Sequence, residues 1–195
     1  MTEDYIMNRL NIYKTHPAIR IPSFATSQSA CFDLAFNSAG KGRYKGYNKN
    51  NSEFERNFGQ GGSIHIMPGD RIMIPTGMIF DIPEGYSVRV HARSGVSLKQ
   101  GLALINSEGI IDSDYIEETY VLLTNTSENG ITLNNGDRIA QAEMVKKEEY
   151  VVLESTTRPY PKTTRVGGMG STGVSDTSEI VKIKIDAPKK VTIKT

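Results

Sequence analysis

Residues 71–95 read RIMIPTGMIFDIPEGYSVRVHARSG. In YSVRVHA, residues 86–92, Val88 and Val90 fall on one side of an extended chain and Arg89 and His91 on the other. Successive side chains of a strand point to opposite faces, so this period of two marks a strand with one buried face. Turn residues stand before it at Pro83-Glu84-Gly85 and before the whole stretch at Pro68-Gly69. The same grammar returns in ETYVLLTNTSENGITLNNGDRIAQAEMV, residues 118–145, with turns at Asn129-Gly130 and Asn135-Gly136-Asp137. Many short strands at regular spacing predict an all-β sandwich or barrel. One short helix is expected in SGVSLKQGLAL, residues 94–104, ended by Gly101.

The chain has 195 residues, enough for one domain of ordinary size plus appendages. Its 23 basic and 22 acidic side chains leave a net charge of +1, which argues against a broad nucleic-acid or membrane surface. A few local cations can still hold a nucleotide-sized anion. The single cysteine, Cys31, excludes an internal disulfide framework and fits a reducing compartment. The opening MTEDYIMNRL lacks the apolar core of a signal peptide. No apolar run approaches the roughly 20 residues of a membrane helix. A cytoplasmic globular protein is expected.

Two segments look added. Residues 37–62, NSAGKGRYKGYNKNNSEFERNFGQGG, are polar and glycine-rich, with Tyr44, Tyr47, Phe54 and Phe58 among basic residues. They read as a surface insertion in the form of a solvated loop. A contact with a protein or nucleic-acid partner is the second reading. Residues 175–195 form a C-terminal extension. In it Val181, Ile183 and Ile185 alternate with Lys182, Lys184 and Asp186, as in a β-hairpin turning near Pro188.

GMGSTG, residues 168–173, matches G-x-G-x-x-G in form only. A dinucleotide site needs a strand before it and a helix after it, and the flanks supply neither. The segment reads instead as a glycine- and hydroxyl-rich arm whose N–H groups can wrap phosphate oxygens, with a plain linker as the alternative.

GIIDSDYIEE, residues 109–118, sets Asp112, Asp114 and Tyr115 close behind an apolar pair. A solvated turn explains this, and so does a site that needs a carboxylate base beside a flat aromatic wall. GLALINSEGIIDSDY, residues 101–115, reads as a β-hairpin with Asn106 to Gly109 near its turn. Backbone groups of such a hairpin can pair with the edge of a flat base as a neighbouring strand would.

Five segments, in order, resemble the trimeric dUTPase family: ATSQSACFDLAF, HARSGVSLKQG, NSEGIIDSDYIEE, NNGDRIAQ and VGGMGSTG. The resemblance runs from about residue 21 to 174 and places one dUTPase-like domain at 1–174. It implies a distorted β jelly-roll (β-clip) subunit with one short helix, assembled as a homotrimer. It also implies Mg2+-assisted hydrolysis of dUTP to dUMP and diphosphate, which keeps uracil out of DNA and supplies dUMP.

By the same resemblance Asp112 is the base that activates water, and Tyr115 packs on the deoxyribose. An unpaired 2′-hydroxyl buried there costs roughly 1–3 kcal/mol. Asn106, Gly109, Ile110 and Ile111 line the uracil pocket, and Tyr120 aligns with a further backbone contact. Arg93, Ser94, Gly95 and Gln141 align with the phosphate end, and Gly95 lets the backbone approach closely. Arg138 has a structural ion pair as its plain reading. Asp33 aligns with the acid near the metal's water shell, so no direct protein ligand to magnesium is expected. Arg165, Met169, Gly170 and Ser171 belong to the arm. The active site is shared between subunits.

The chain departs from the family at several positions. Thr164 stands where arginine is usual, with Arg165 one later. Met169 replaces the aromatic that stacks on uracil, Glu117 replaces a glycine, and Cys31 replaces another glycine. Two rival readings follow from the same fold. One is a dCTP deaminase or bifunctional deaminase–dUTPase. The other is a regulatory protein that binds a partner through 37–62.

Overall fold

The computed structural model describes residues 9–163. The chain divides after Tyr150 into two units. In the second, residues 151–163 carry no helix or strand. The expected arm residues Arg165, Met169, Gly170 and Ser171, and the expected hairpin in 175–195, lie outside the described residues.

Among the described residues of the first unit, the regular structure is almost entirely β, as the alternation predicts. Its strands are β1 (Asn11–Lys14), β2 (Phe32–Ala35), β3 (Arg43–Tyr47), β4 (Glu53–Asn57), β5 (Ile64–Ile66), β6 (Arg71–Pro75) and β7 (Met78–Asp81). They continue with β8 (Tyr86–Ala92), β9 (Leu102–Leu104), β10 (Gly109–Asp112), β11 (Tyr120–Asn125), β12 (Ile131–Leu133) and β13 (Arg138–Lys146). Each turn named from the sequence falls between two of these strands. The helix α1 (Ser94–Gln100) ends at Gly101, whose φ of 72° is left-handed. A side chain there would be strained, and glycine is not.

Two antiparallel sheets carry the unit. One has the order β10-β8-β13-β2 and the other β4-β3-β6-β11-β9. Two-stranded pairs β1-β7 and β12-β5 complete it. One apolar cluster draws on both large sheets: Leu34, Val88, Val90, Ala140 and Ala142 from the first, Ile72, Ile74, Val121 and Leu123 from the second. Burial of apolar surface at about 25 cal/mol per Å² makes this shared interior the main stabilising contact.

Two expectations are corrected. Residues 37–62 are not a solvated loop. They form the hairpin β3–β4, which joins the five-stranded sheet through β6, pairing Lys45 with Met73 and Tyr47 with Arg71. Its aromatics explain why: Tyr44 is buried and meets Phe58 at 5.4 Å between ring centroids. Phe58 in turn stacks on Phe36 of the core. Glycine-rich, polar composition hid a strand whose alternate residues, Tyr44 and Gly46, face inward. The second correction concerns residues 101–115. β9 and β10 do not pair with each other. β9 pairs with β11 and β10 with β8, so the two lie at the edges of different sheets.

Candidate active site

Because the chain leaves one sheet at β9 and enters the other at β10, residues 105–108 cross between sheet edges. The crossing is tight: Ser107 has φ 60° and the Glu108 N–H donates to the Asn106 carbonyl at 2.6 Å. Arg89 holds the turn from β8, its Nη1 lying 3.3 Å from Glu108 Oε2. A cleft of about 470 Å³ opens beside the crossing, between β10 and β11. Seven residues expected from the sequence line it: Asn106, Gly109, Ile110, Ile111, Asp112, Tyr115 and Tyr120. The sequence reading did not pick out its apolar wall, Met73, Leu104 and Leu122. Their signal was the alternation in YVLLTN, where Leu122 faces away from buried Val121 and Leu123.

Asp112 ends β10, opposite Ser87. Its side chain is exposed. Its carbonyl accepts the Tyr115 N–H at 3.2 Å, closing the turn that carries both. The Tyr115 hydroxyl donates to the Glu118 carbonyl at 3.1 Å. The residue is therefore held at its main chain and at its hydroxyl, and it lines the same cleft as Asp112. Gly109 sits against Val90, where an added Cβ would lie 3.0 Å from the valine Cβ. A side chain there would be tight enough that Val90 or the strand must give by a few tenths of an ångström.

Behind the cleft, Glu118 organises three partners. Its Oε1 accepts the Gly77 N–H at 2.8 Å, and its Oε2 lies 2.5 Å from Lys41 Nζ and accepts the Tyr120 hydroxyl at 3.3 Å. Burial pulls the Lys41 pKa down, but the hydrogen bond and charge of Glu118 outweigh it and leave the group raised. The Tyr120 hydroxyl is also raised, by burial first and the Glu118 charge second. Lys41 comes from the segment that composition marks as a loop, and nothing local in the sequence points to Glu118.

The remaining expected residues gather elsewhere. Arg93 Nε lies 2.7 Å from Asp33 Oδ1, and Arg138 Nη1 lies 2.8 Å from Asp33 Oδ2. Arg93 Nη1 donates to the Arg138 carbonyl at 3.0 Å, and Gln141 Nε2 to the Ala92 carbonyl at 2.9 Å. Arg138 thus makes the ion pair its plain reading predicts. Ser94 opens α1, and nothing lies within 4 Å of a Cβ added at Gly95. The space beside Gly95 is open within one chain. None of these residues lines the cleft. No helix among the described residues is long and apolar enough to cross a membrane.

Comparisons with known proteins bear on the family and the fold. The family model described as dUTPase matches residues 62–173. The deoxyuridine 5'-triphosphate nucleotidohydrolase of Rhizobium leguminosarum bv. trifolii is 44% identical over 112 residues, which are 57% of this chain and 70% of that protein. The Caulobacter vibrioides protein of the same name is 42% identical over 112 residues, covering 57% and 71%. Among solved structures, the Staphylococcus bacteriophage 80alpha dUTPase with dUPNHPP aligns at a TM-score of 0.66 and 20% identity, over 86% of this chain and all (100%) of that one. The Streptococcus mutans dUTPase aligns at 0.53 and 20% identity, over 76% and 100%. At that identity the structures speak for the fold, an all-β jelly roll, and the sequence matches carry the rest: the chain belongs to the dUTPase family.

Proposed function

We propose that this enzyme hydrolyses dUTP to dUMP and diphosphate in the cleft beside β10, with Asp112 as the base. Membership of the dUTPase family supports the reaction itself. The observation that carries the residue roles is the convergence of an exposed carboxylate, a tethered tyrosine ring and a sheet edge on one cleft.

β10 is the outer strand of its sheet, so alternate residues turn N–H and C=O groups away from β8. A uracil edge has the donors and acceptors to pair with them. Cytosine reverses two of these and leaves buried groups unmatched, a strong basis for rejection. The Tyr115 ring against the sugar disfavours a 2′-hydroxyl. Asp112 then orients a water and accepts its proton as the oxygen attacks the α-phosphorus. The bond to the bridging oxygen breaks and diphosphate leaves.

The reading requires more than one subunit. Arg93 and Gln141 belong to the phosphate end by family resemblance, yet they lie at the far end of β8 from Asp112. A homotrimer with sites shared between neighbours brings the two groups together. The open space at Gly95 suits approach by a ligand or a second copy.

Magnesium fits this site as an ion carried by the phosphates. It prefers oxygen ligands and keeps several waters. Both Asp33 oxygens are engaged by guanidinium groups, which suits a position outside the metal's inner shell. When bound, the ion neutralises phosphate charge.

The test is incubation of purified protein and Mg2+ with each common nucleoside triphosphate, followed by product separation. The expected result is dUMP and diphosphate from dUTP alone. Ammonia released from dCTP, or intact dUTP, would overturn the reading.

A further inference from the structure

We propose that Cys31, His91 and Glu143 form a binding site for a borderline transition-metal ion, with zinc as the first candidate. The three ligand atoms lie within 4.8 Å of one another. Two come from adjacent strands of one sheet and the third from the residue just before the next strand. Cys31 immediately precedes β2, Glu143 belongs to β13 and His91 to β8, with β13 in the middle.

The register explains the convergence. Ala142 pairs with Phe32 on one side and with Val90 on the other. Ala142, Phe32 and Val90 are buried in the core. Residues next to them along each strand therefore face the opposite side of the sheet. That places Cys31, Glu143 and His91 on one outer face, each half-buried.

The histidine is arranged as a ligand usually is. Its Nε2 lies 3.1 Å from Glu143 Oε1, inside the cluster. Its Nδ1, on the other side of the ring, lies 3.6 Å from Glu108 Oε1. At 3.6 Å this is a charge contact and not a hydrogen bond, and the negative charge behind the ring makes the first nitrogen a better donor. A His91–Glu143 pair alone accounts for neither the sulfur beside it nor the carboxylate behind.

The donor set selects the ion. Sulfur, imidazole nitrogen and one carboxylate suit zinc and its neighbours, with bonds of about 2.0–2.3 Å. Magnesium prefers oxygen throughout, so this site is separate from the nucleotide's ion. Cys31 binds as the thiolate, and its proton leaves to solvent on loading. Three protein ligands leave a fourth position for water. The ion ties β2, β13 and β8 together, so loading stabilises the folded chain.

Cobalt(II) titration of the chelator-stripped full chain tests the proposal. Cys31 is the only cysteine, so thiolate-to-cobalt charge-transfer absorption reports this site alone. The expected result is such a band, saturating at about one ion per chain and bleached by added zinc. Cys31→Ser removes the band and the rise in Tm that zinc produces, while hydrolysis of dUTP with magnesium continues. His91→Gln and Glu143→Gln each weaken cobalt binding by about tenfold or more. Absence of a thiolate band at saturating cobalt would overturn the proposal. So would a band whose affinity is unchanged in both His91→Gln and Glu143→Gln. The readout is spectroscopic and calorimetric, so its failure leaves the reading of the active site standing.

Discussion

Asp112 and Arg93 stand at opposite ends of β8. Asp112 pairs with Ser87 at the start of that strand, and Arg93 follows its last residue, Ala92. At about 3.3 Å per residue the two backbones are roughly 20 Å apart. Arg93 is also held in place by Asp33. One chain does not bring both side chains to the same reacting phosphate.

Complementation between subunits follows from that separation. The Asp112→Asn and Arg93→Ala variants are each expected to be nearly inactive on their own. Refolding the two together at equal ratio restores up to about a quarter of the sites, because some sites then draw each residue from the intact copy. Turnover measured before and after mixing checks this. No gain on mixing would place both residues in one chain's site.

Asp112→Asn alone keeps the shape of the turn and removes the proton acceptor. Turnover with dUTP is expected to fall by about 10²–10⁴-fold. Nucleotide affinity, measured by calorimetry with a non-hydrolysable analogue, stays close to that of the unaltered chain. Near-normal turnover would remove Asp112 from its role.

The pair Lys41–Glu118 links stability to alkaline pH. The folded Lys41 pKa is raised above its ordinary value of 10.5. Its contribution is therefore complete below that value and is lost as pH rises through the folded pKa. Glu118→Gln keeps an acceptor for Gly77 but removes the charge, and is expected to cost about 1–3 kcal/mol near neutral pH. Denaturant unfolding from about pH 8 upward through the strongly alkaline range checks this: the penalty stays level up to the ordinary lysine value of 10.5 and shrinks only above it. A penalty that does not shrink above the folded Lys41 pKa would exclude the ion pair as its cause.

Gly109→Ala places a methyl 3.0 Å from the Val90 Cβ. Val90 is buried in the core, so the few tenths of an ångström of give are expected from β10, and its free edge moves with it. A loss of about 1–3 kcal/mol in stability is expected from the overpacking. KM for dUTP rises more than kcat falls, since the base-pairing edge moves while Asp112 stays in the turn. Steady-state kinetics beside thermal unfolding separates the two effects.

The local physics of the chain was legible without coordinates. Alternation in YSVRVHA put Val88 and Val90 inside and Arg89 and His91 outside, as they are. Gly101 ended the helix because its φ is one that other residues rarely adopt. The motif NSEGIIDSDYIEE with its acid–tyrosine cluster marked Asn106, Gly109, Ile110, Ile111, Asp112 and Tyr115, which line the cleft. Residues 37–62 misled because composition reports average polarity, whereas burial of Tyr44 depends on one face of one strand.

Period two fixes which face a residue occupies but not which strand lies beside it. That choice is made by hydrogen bonds between distant segments. Tertiary structure alone therefore put β9 and β10 in different sheets and opened the cleft between β10 and β11. It alone joined Lys41 to Glu118, and Cys31 to His91 and Glu143, across separations no motif spans.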